Sequence, residues 1–173
     1  MDKTIGIFGG GQLGRMMAQA ALPLNIQCTF FETNTDCPAG VLGQVFSSQD
    51  EQGLKQFIES ADVFSLEFEN TPVEDVDVLT QTKTLHPPRV ALATAQNRLS
   101  EKALFDELTI PVAPYRAVDS LESLKKAVAE LGLPIVLKTA TGGYDGKGQF
   151  VLRSEDQIDI AWADRKSTRL NSS

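Results

Sequence analysis

The chain has 173 residues, a net charge of −7, 42% hydrophobic residues and 23% charged residues. This composition is typical of a soluble globular protein with one domain or two small ones. The acidic balance argues against a nucleic-acid partner, because neutralising phosphates needs a clustered basic surface. No apolar run is long enough to span a membrane, and no signal peptide precedes the strand predicted at Thr4, so we expect a cytoplasmic protein.

Strands and helices are predicted to alternate through the first half of the chain. Short apolar, β-branched runs indicate strands, and apolar residues three and four apart indicate helices. We predict strands over 4–8, 26–31, 45–46 and 63–66, and helices over 13–22, 51–60 and 72–79, the last capped by Thr71. This order predicts an α/β fold, a Rossmann-like parallel sheet with helices on both faces.

The rigid sequence His86-Pro87-Pro88 ends this pattern, since proline cannot donate to a ladder, and it predicts a domain boundary after residue 88. In the second domain, 89–164, we predict a helix over 90–108, a helix from Ser120 to Gly132, strands over 135–138 and 149–152, and a helix starting at Ser154 with Gln157 in a capping box.

Residues 165–173 carry three basic residues and no acidic one. We expect this segment to be a non-native tail.

The two cysteines predict reduced thiols rather than a metal site. Cys28 lies in an apolar, β-rich stretch typical of a core, and Cys37 lies in a polar loop. There is no Cys-x-x-Cys spacing, and His86 is the single histidine, so we do not expect zinc.

A first glycine motif, Gly9–Gly14, follows a predicted strand and opens a predicted helix. This arrangement favours an anion at the helix amino terminus. Glu32 ends the next strand, where a dinucleotide site would place its ribose-binding acid. A tight turn that binds nothing is the alternative. A nicotinamide cofactor would leave the second glycine motif unexplained, so we favour a different phosphorylated ligand.

Two further segments are candidates for ligand contacts. Glu67 and Glu69 follow the fourth strand and would share one side if that strand continued, where they could orient an amine or ribose hydroxyls; a solvated acidic loop is the alternative. Arg98 lies one helical turn from Lys102 and beside Glu101. It could face a phosphate or belong to a surface charge set, and spacing alone does not decide.

The second glycine motif covers 141–149 and contains four glycines between residues 141 and 148. It is not a Walker A loop, because Gly148 follows Lys147 and the motif joins two strands rather than a strand and a helix. We predict a hairpin-like flap that closes over a triphosphate and excludes water. Lys138, at the end of the preceding strand, would reach the α- and β-phosphates. The alternative is a mobile surface hairpin.

Four segments in this order resemble the 5-(carboxyamino)imidazole ribonucleotide synthase family of the ATP-grasp superfamily. They are Gly-Gly-Gly-Gln-Leu-Gly-Arg-Met at 9–16, Glu-Phe-Glu-Asn at 67–70, Gln-Asn-Arg-Leu-Ser-Glu-Lys at 96–102 and the segment 138–149. The resemblance covers residues 1 to about 164. It implies a pre-ATP-grasp domain followed by the incomplete start of an ATP-grasp domain.

The resemblance also implies an activity in purine biosynthesis. ATP would phosphorylate bicarbonate to carboxyphosphate, and the amine of 5-aminoimidazole ribonucleotide would then be carboxylated. The implied ATP site comprises Arg98, Lys138, Gly143, Tyr144, Asp145, Gly146, Lys147, Gly148 and Gln149. The implied acceptor site comprises Gly11, Gln12, Leu13 and Glu69, with Tyr144 and Asp145 from the flap.

The same resemblance sets expectations for what this chain lacks. Mg²⁺ is expected to neutralise the phosphates, with its ligands in a part of the family's chain beyond residue 164. We predict no catalytic nucleophile, little or no synthase activity from the 173 residues alone, and a homodimer for the intact family member. The remaining alternatives are another ATP-grasp ligase or formyltransferase with a different acceptor, a nicotinamide-binding oxidoreductase domain, and a non-catalytic nucleotide-binding module.

Overall fold

The computed structural model describes residues 3–143 and 148–170, with side chains described as far as Asp164. The chain forms two compact units, Met1–Ala95 and Gln96–Ser173. Within the described ranges, no helix has the length and apolar character needed to cross a bilayer.

The first unit is built on a parallel sheet of five strands in the order β3-β2-β1-β4-β5. The strands are β1 Lys3–Phe8, β2 Ile26–Glu32, β3 Gln44–Ser47, β4 Val63–Leu66 and β5 Thr84–His86. The helices are α1 Gln12–Ala21, α2 Gly53–Glu59, α3 Val73–Leu79 and α4 Arg89–Ala95. The predicted parallel sheet is confirmed. Strand β5 was not predicted, because three residues are too few for an alternating pattern.

Helices cover both faces of this sheet, because neighbouring residues of a strand point to opposite sides. Ile7 packs with Ala18 of α1 and with Cys28, whereas Phe8 packs with residues of α2, α3 and α4. The prediction that Cys28 is a core residue is confirmed: its side chain is buried, and burial raises the pKa of its thiol. Both cysteines are free.

Phe57 of α2 is the centre of the larger core. Its ring is fully buried and lies 5.1 Å from the rings of Phe8 and Phe64, 5.4 Å from that of Phe31 and 6.2 Å from that of Phe46, measured between ring centroids. These residues come from α2 and from four adjacent strands. The aromatic cluster therefore ties α2 to most of the sheet width.

The second unit begins with α5 Arg98–Glu107 and α6 Leu121–Leu131. An antiparallel hairpin of β6 Ile135–Lys138 and β7 Gln149–Leu152 follows, as predicted, and α7 Ile158–Leu170 ends it. Its core joins one face of α6 to the inner face of the hairpin and to α7, through Leu124, Val128, Leu137, Leu152, Ile158 and Ala161.

The single helix predicted over 90–108 is wrong. Asn97 is extended and caps α5, its side chain accepting hydrogen bonds from the N–H groups of Leu99 at 2.9 Å and Ser100 at 3.4 Å. A side chain that satisfies first-turn N–H groups starts a new helix, so α4 and α5 are separate. Leu92 of α4 is buried in the first unit's core, and the division between units lies after Ala95, seven residues beyond the predicted boundary at residue 88.

Of the three predicted helix N-caps, Ser120 is confirmed, and Thr71 and Ser154 are not. Ser120 forms a capping box with Ser123, and Gly132, with φ of 75°, ends α6 as predicted. Thr71 is not the cap of α3: Pro72 occupies that position, and the Thr71 hydroxyl donates to the Phe68 carbonyl.

The segment before α7 also differs from the prediction. Ser154 makes no side-chain cap bond before α7. The Gln157 side chain accepts the Arg153 N–H, and a 3₁₀ turn over Glu155–Gln157 lies between Ser154 and α7. The backbone of residues 165–170, expected to be tail, continues α7. That these residues are non-native remains a prediction.

We predict that Phe57→Ala lowers the unfolding free energy of the first unit by about 3–5 kcal/mol, because it leaves a cavity among four aromatic rings. Hydrogen exchange of the β1 and β2 amides under denaturant would measure this change. Phe68→Ala is the matched control, since that ring is 43% exposed, and we expect a change within about 1 kcal/mol. Equal losses from both variants would contradict the assigned core.

The pair between α3 and α4 predicts an acid-dependent contribution to stability. Arg89 donates to both carboxylate oxygens of Asp77, at 2.7 and 3.2 Å, and this hydrogen bonding lowers the pKa of Asp77. A depressed carboxyl pKa stabilises the folded state above the ordinary pKa of about 4, and that contribution is lost as the pH falls through the folded value.

We therefore expect Asp77→Asn to destabilise the first unit slightly at pH 7 and much less at pH 3, because the pair is half-exposed. Denaturant unfolding of both forms at the two pH values would test this. The double variant Asp77→Asn/Arg89→Gln should unfold like the single one. A destabilisation that is the same at both pH values would exclude the ion pair as its cause.

Candidate functional site

The glycine motif lies at the point where the strand order of the sheet reverses. From β1, the chain builds β2 and β3 on one side and β4 and β5 on the other. In open α/β sheets, the crevice beyond the carboxyl ends of the strands at such a point is where ligands bind. The turn from β1 to α1, residues 9–11, lies there, between the ends of β2 and β4.

Glu67, the first residue after β4, holds the start of α1. Its Oε2 accepts the Gly11 N–H at 2.8 Å and its Oε1 accepts the Leu13 N–H at 3.1 Å. Its own N–H donates to the Phe8 carbonyl at 2.9 Å, which continues the pairing of β4 with β1. The carboxylate thus satisfies two first-turn donors that a helix leaves unpaired.

Glu32, at the end of β2, holds the other side of the same turn. Its Oε2 accepts the Gly10 N–H at 3.0 Å, and its Oε1 accepts the Thr33 N–H at 2.7 Å. The Gly10 carbonyl accepts the Ala39 N–H at 2.9 Å, so the loop after β2 is also fixed to the turn. Both oxygens of Glu32 are therefore engaged with backbone, which disfavours its predicted role as a ribose ligand of a dinucleotide.

The glycines of this turn lie close against the Glu67 side chain. Gly9 has φ of 102°, and a Cβ there would lie 2.6 Å from Glu67 Oε2. A Cβ on Gly11 would lie 2.5 Å from Glu67 Oε1. The positive φ of Gly9 favours glycine there, and at both positions a Cβ would displace the Glu67 carboxylate from its hydrogen bonds.

The four predicted acceptor residues lie at the start of α1 and in the turn after β4. Gly11 is the N-cap of α1, and Gln12 and Leu13 follow in its exposed first turn. Glu69 lies in the exposed turn after β4. Strand β4 ends at Leu66, so the assumption that Glu67 and Glu69 share one side of a continuing strand is wrong. The residue that contacts Gly11 and Leu13 is Glu67.

In the second unit, the hairpin brings two predicted ATP ligands together. Lys138 and Gln149 pair directly across β6 and β7, and the Thr139 N–H donates to the Gly148 carbonyl at 2.9 Å. Both side chains are exposed on the same face as the apolar pair Val136 and Val151. Tyr144, Asp145, Gly146 and Lys147 lie outside the described residues.

Arg98, the first residue of α5, is attached to the first part of the flap. Its N–H donates to the Ala140 carbonyl at 2.9 Å, and its guanidinium Nη2 donates to the Gly143 carbonyl at 2.7 Å. Its Nε is buried and, among the described residues, has no hydrogen-bond partner. Lys102 lies elsewhere, 4.9 Å from the centre of the Tyr115 ring. The arrangement favours the phosphate-facing interpretation of Arg98 over a surface charge set.

The described side chains contain no group of three His, Cys, Asp or Glu residues that could hold a metal ion. An ATP phosphate fits the donors present, because Arg98 offers a buried, unpaired N–H and Lys138 an exposed cation. A divalent cation finds no comparable set of oxygen ligands in this part of the chain.

Sequence reasoning did not identify the positions of two residues that shape these sites. Glu67 was predicted to orient an amine or ribose hydroxyls, or to lie in a solvated acidic loop. Its contact with the glycine turn depends on β4 lying beside β1, which no local pattern reveals. The cap at Asn97 could have been predicted, because an Asn directly before a helical pattern is a recognised N-cap signal.

The sequence matches two family models. The ribonucleotide synthetase preATP-grasp domain matches residues 1–96, and the ATP-grasp domain matches residues 103–170. The resemblance proposed from the four segments is confirmed by a Pseudomonas aeruginosa N5-carboxyaminoimidazole ribonucleotide synthase, which is 41% identical over 162 residues. That match covers 92% of this chain and 45% of the relative. The chain thus spans less than half the length of this relative.

Solved structures agree with the fold. An N5-carboxyaminoimidazole ribonucleotide synthetase in its ADP complex has a TM-score of 0.86 and 41% identity, covering 97% of this chain and 45% of the other. An Aspergillus clavatus N5-carboxyaminoimidazole synthase in complex with ADP and 5-aminoimidazole ribonucleotide has a TM-score of 0.82 and 27% identity. That match covers 95% of this chain and 44% of the other. These likenesses confirm the predicted pre-ATP-grasp domain and the start of an ATP-grasp domain. With more than half of its length matched by the first model, the chain belongs to the ribonucleotide synthetase preATP-grasp domain family.

Proposed function

We propose that this chain forms the acceptor-binding part and the phosphate-binding hairpin of an ATP-dependent carboxylating ligase that acts on 5-aminoimidazole ribonucleotide in purine biosynthesis. The observation that carries the proposal is the Arg98 guanidinium at the hairpin, bonded to Gly143 and retaining a buried Nε–H without a partner among the described residues. A buried N–H without a partner is costly unless a ligand accepts it. A nucleotide phosphate would do so.

The hairpin supports ATP as the nucleotide. Lys138 supplies an exposed point charge, and Val136 and Val151 add an apolar strip on the same exposed face. We place ATP against Arg98, Lys138 and residues 143–149, including the flap residues Tyr144, Asp145, Gly146 and Lys147. Relatives solved with ADP or ATP support this choice.

The glycine turn supports a separate acceptor site in the first unit. We assign Gly11, Gln12, Leu13 and Glu69 to the acceptor, with Tyr144 and Asp145 from the flap. Gln12 and Leu13 are exposed at the topological switch point of the sheet, where a ligand can reach them. The Aspergillus clavatus relative was solved with 5-aminoimidazole ribonucleotide, which supports that acceptor class.

In the proposed reaction, an oxygen of bicarbonate attacks the γ-phosphorus of ATP, releasing ADP and forming carboxyphosphate. The acceptor amine then attacks the carboxyl carbon and inorganic phosphate leaves. This chemistry needs no protein nucleophile, so the role of Arg98 and Lys138 is to orient the phosphates and stabilise their charge. When bound, Mg²⁺ would add further charge neutralisation.

The family resemblance supports bicarbonate as the second substrate, Mg²⁺ at the phosphates, a homodimer of the intact family member and a cytoplasmic location. Another ATP-grasp ligase with a different acceptor is the competing function, because it would use the same hairpin. Stabilisation of the chain by NADH and not by ATP would exclude both ligases.

A chimera tests the function. Residues 1–164 of this chain would replace the matching part of the Pseudomonas aeruginosa synthase. We expect ADP formation that requires both 5-aminoimidazole ribonucleotide and bicarbonate, because each half supplies part of the site. The 173-residue chain alone should show no such turnover. ADP formation with a different amine and not with this ribonucleotide would overturn the acceptor assignment.

Arg98→Lys in this chimera tests the nucleotide site. Lysine keeps the charge but loses the planar fork and the Nε–H, so we expect the KM for ATP to rise at least about tenfold. Lys102→Gln, on the same helix but beside Tyr115, is the matched control and should leave the KM unchanged. An unchanged KM in the Arg98 variant would remove Arg98 from the site.

A further inference from the structure

Hydrogen bonds, rather than core packing, hold the start of α5, because none of the ten residues of this helix is buried. A helix leaves its first N–H groups without partners of its own. Here the Asn97 side chain accepts the N–H groups of Leu99 at 2.9 Å and Ser100 at 3.4 Å. The Arg98 N–H bonds outside the helix, to the carbonyl of Ala140 directly before the flap, at 2.9 Å.

We propose that Asn97 is a positioning residue of the nucleotide site, which acts through Arg98 by directing the Arg98 N–H to the flap segment instead of into a longer helix. Residues 90–108 have helical character throughout. In an unbroken helix, the Arg98 N–H would donate to the Thr94 carbonyl four residues earlier. That the site binds a nucleotide rests on the proposed function, whereas the choice between these two carbonyls rests on the described contacts alone.

The conformation of Asn97 separates the two helices. Its φ of −124° and ψ of 113° are extended values, and it lies between the end of α4 at Ala95 and the start of α5 at Arg98. Asparagine suits this position for two reasons. Its short side chain reaches the N–H groups of the next turn, and it favours a helix interior less than alanine does. The chemistry of one residue thus opposes the helical pattern on both sides of it.

The cap determines where Arg98 meets the flap segment. With its N–H on the Ala140 carbonyl, Arg98 also donates from Nη2 to the Gly143 carbonyl at 2.7 Å. One residue is therefore bonded to two carbonyls of the same segment, and its buried Nε–H has no partner within the described part of the chain. A helix that ran through residue 97 would withdraw the Arg98 N–H from Ala140. The guanidinium would then lose the backbone anchor that holds it beside the flap.

NMR of the 173-residue chain tests the proposal with two readouts: the scalar coupling across the hydrogen bond from the Arg98 N–H to the Ala140 carbonyl, and the backbone carbon shifts of residue 97. In Asn97→Ala, we expect a weaker coupling and shifts that move from extended toward helical values. Loss of the cap and gain of helix propensity together favour the unbroken helix by about tenfold. Asn97→Ser should restore both readouts, because serine is an equally good and uncharged N-cap.

Ser120→Ala is the matched control, because it removes the N-cap of another helix in the same unit. The Ser120 hydroxyl accepts the Ser123 N–H at 3.1 Å at the start of α6. We expect this variant to leave the coupling between Arg98 and Ala140 unchanged, since its cap does not decide the partner of the Arg98 N–H. An unchanged coupling in Asn97→Ala, or an equal loss in Ser120→Ala, would overturn the proposal.

The chimera provides a second measurement, which also covers an Asn97→Ala chain that folds poorly in isolation. We expect Asn97→Ala to raise the KM for ATP by a factor of about two to ten with kcat unchanged, because a smaller fraction of the free enzyme is competent to bind. Asn97→Ser should restore the KM. A lower kcat with an unchanged KM would contradict the positioning role. An inactive parent chimera would reject the proposed function and leave the NMR result for Asn97 standing.

Discussion

The site in the first unit depends on the hydrogen bonds that N–H groups of the glycine turn and the start of α1 donate to the Glu67 and Glu32 carboxylates. They join the ends of β4 and β2 to the start of α1, so three elements distant in sequence form one rigid corner. The corner exists because β1 is central and both its neighbours are parallel to it, which places all carboxyl ends at the same edge. Glycine at position 9 is favoured by its φ of 102°, and a Cβ at Gly9 or Gly11 would disturb the Glu67 carboxylate.

The second unit places cationic side chains beside a glycine-rich segment. Its small core fixes one face of the hairpin and leaves the other exposed, with Lys138 and Gln149 paired on it. The Asn97 cap starts α5 so that the Arg98 guanidinium meets Gly143. Local backbone chemistry thus positions a side chain that sequence spacing left ambiguous between a surface charge and a phosphate ligand.

Most of the fold was predictable, because its elements are specified locally. Apolar runs identified β1, β2 and β4, and a serine cap and a terminal glycine bounded α6. The errors arose where local signals compete. Residues 90–108 have helical character throughout, and the Asn97 side chain divides them. Pro72, with φ of −56° and ψ of 127°, occupies the N-cap position expected for Thr71. Strand β5 is too short to carry a pattern.

The sequence by itself determined the class of the protein: an alternating α/β order, two glycine motifs of different type, and four segments that place it in a nucleotide-dependent family. These are properties of contiguous residues, whose chemistry and spacing act locally. The tertiary structure decided which groups meet. The contact of Glu67 with the glycine turn, the bond of Glu32 to Gly10 and the reach of Arg98 to Gly143 all depend on strand order and helix breaks, because these pairs lie 22 to 56 residues apart.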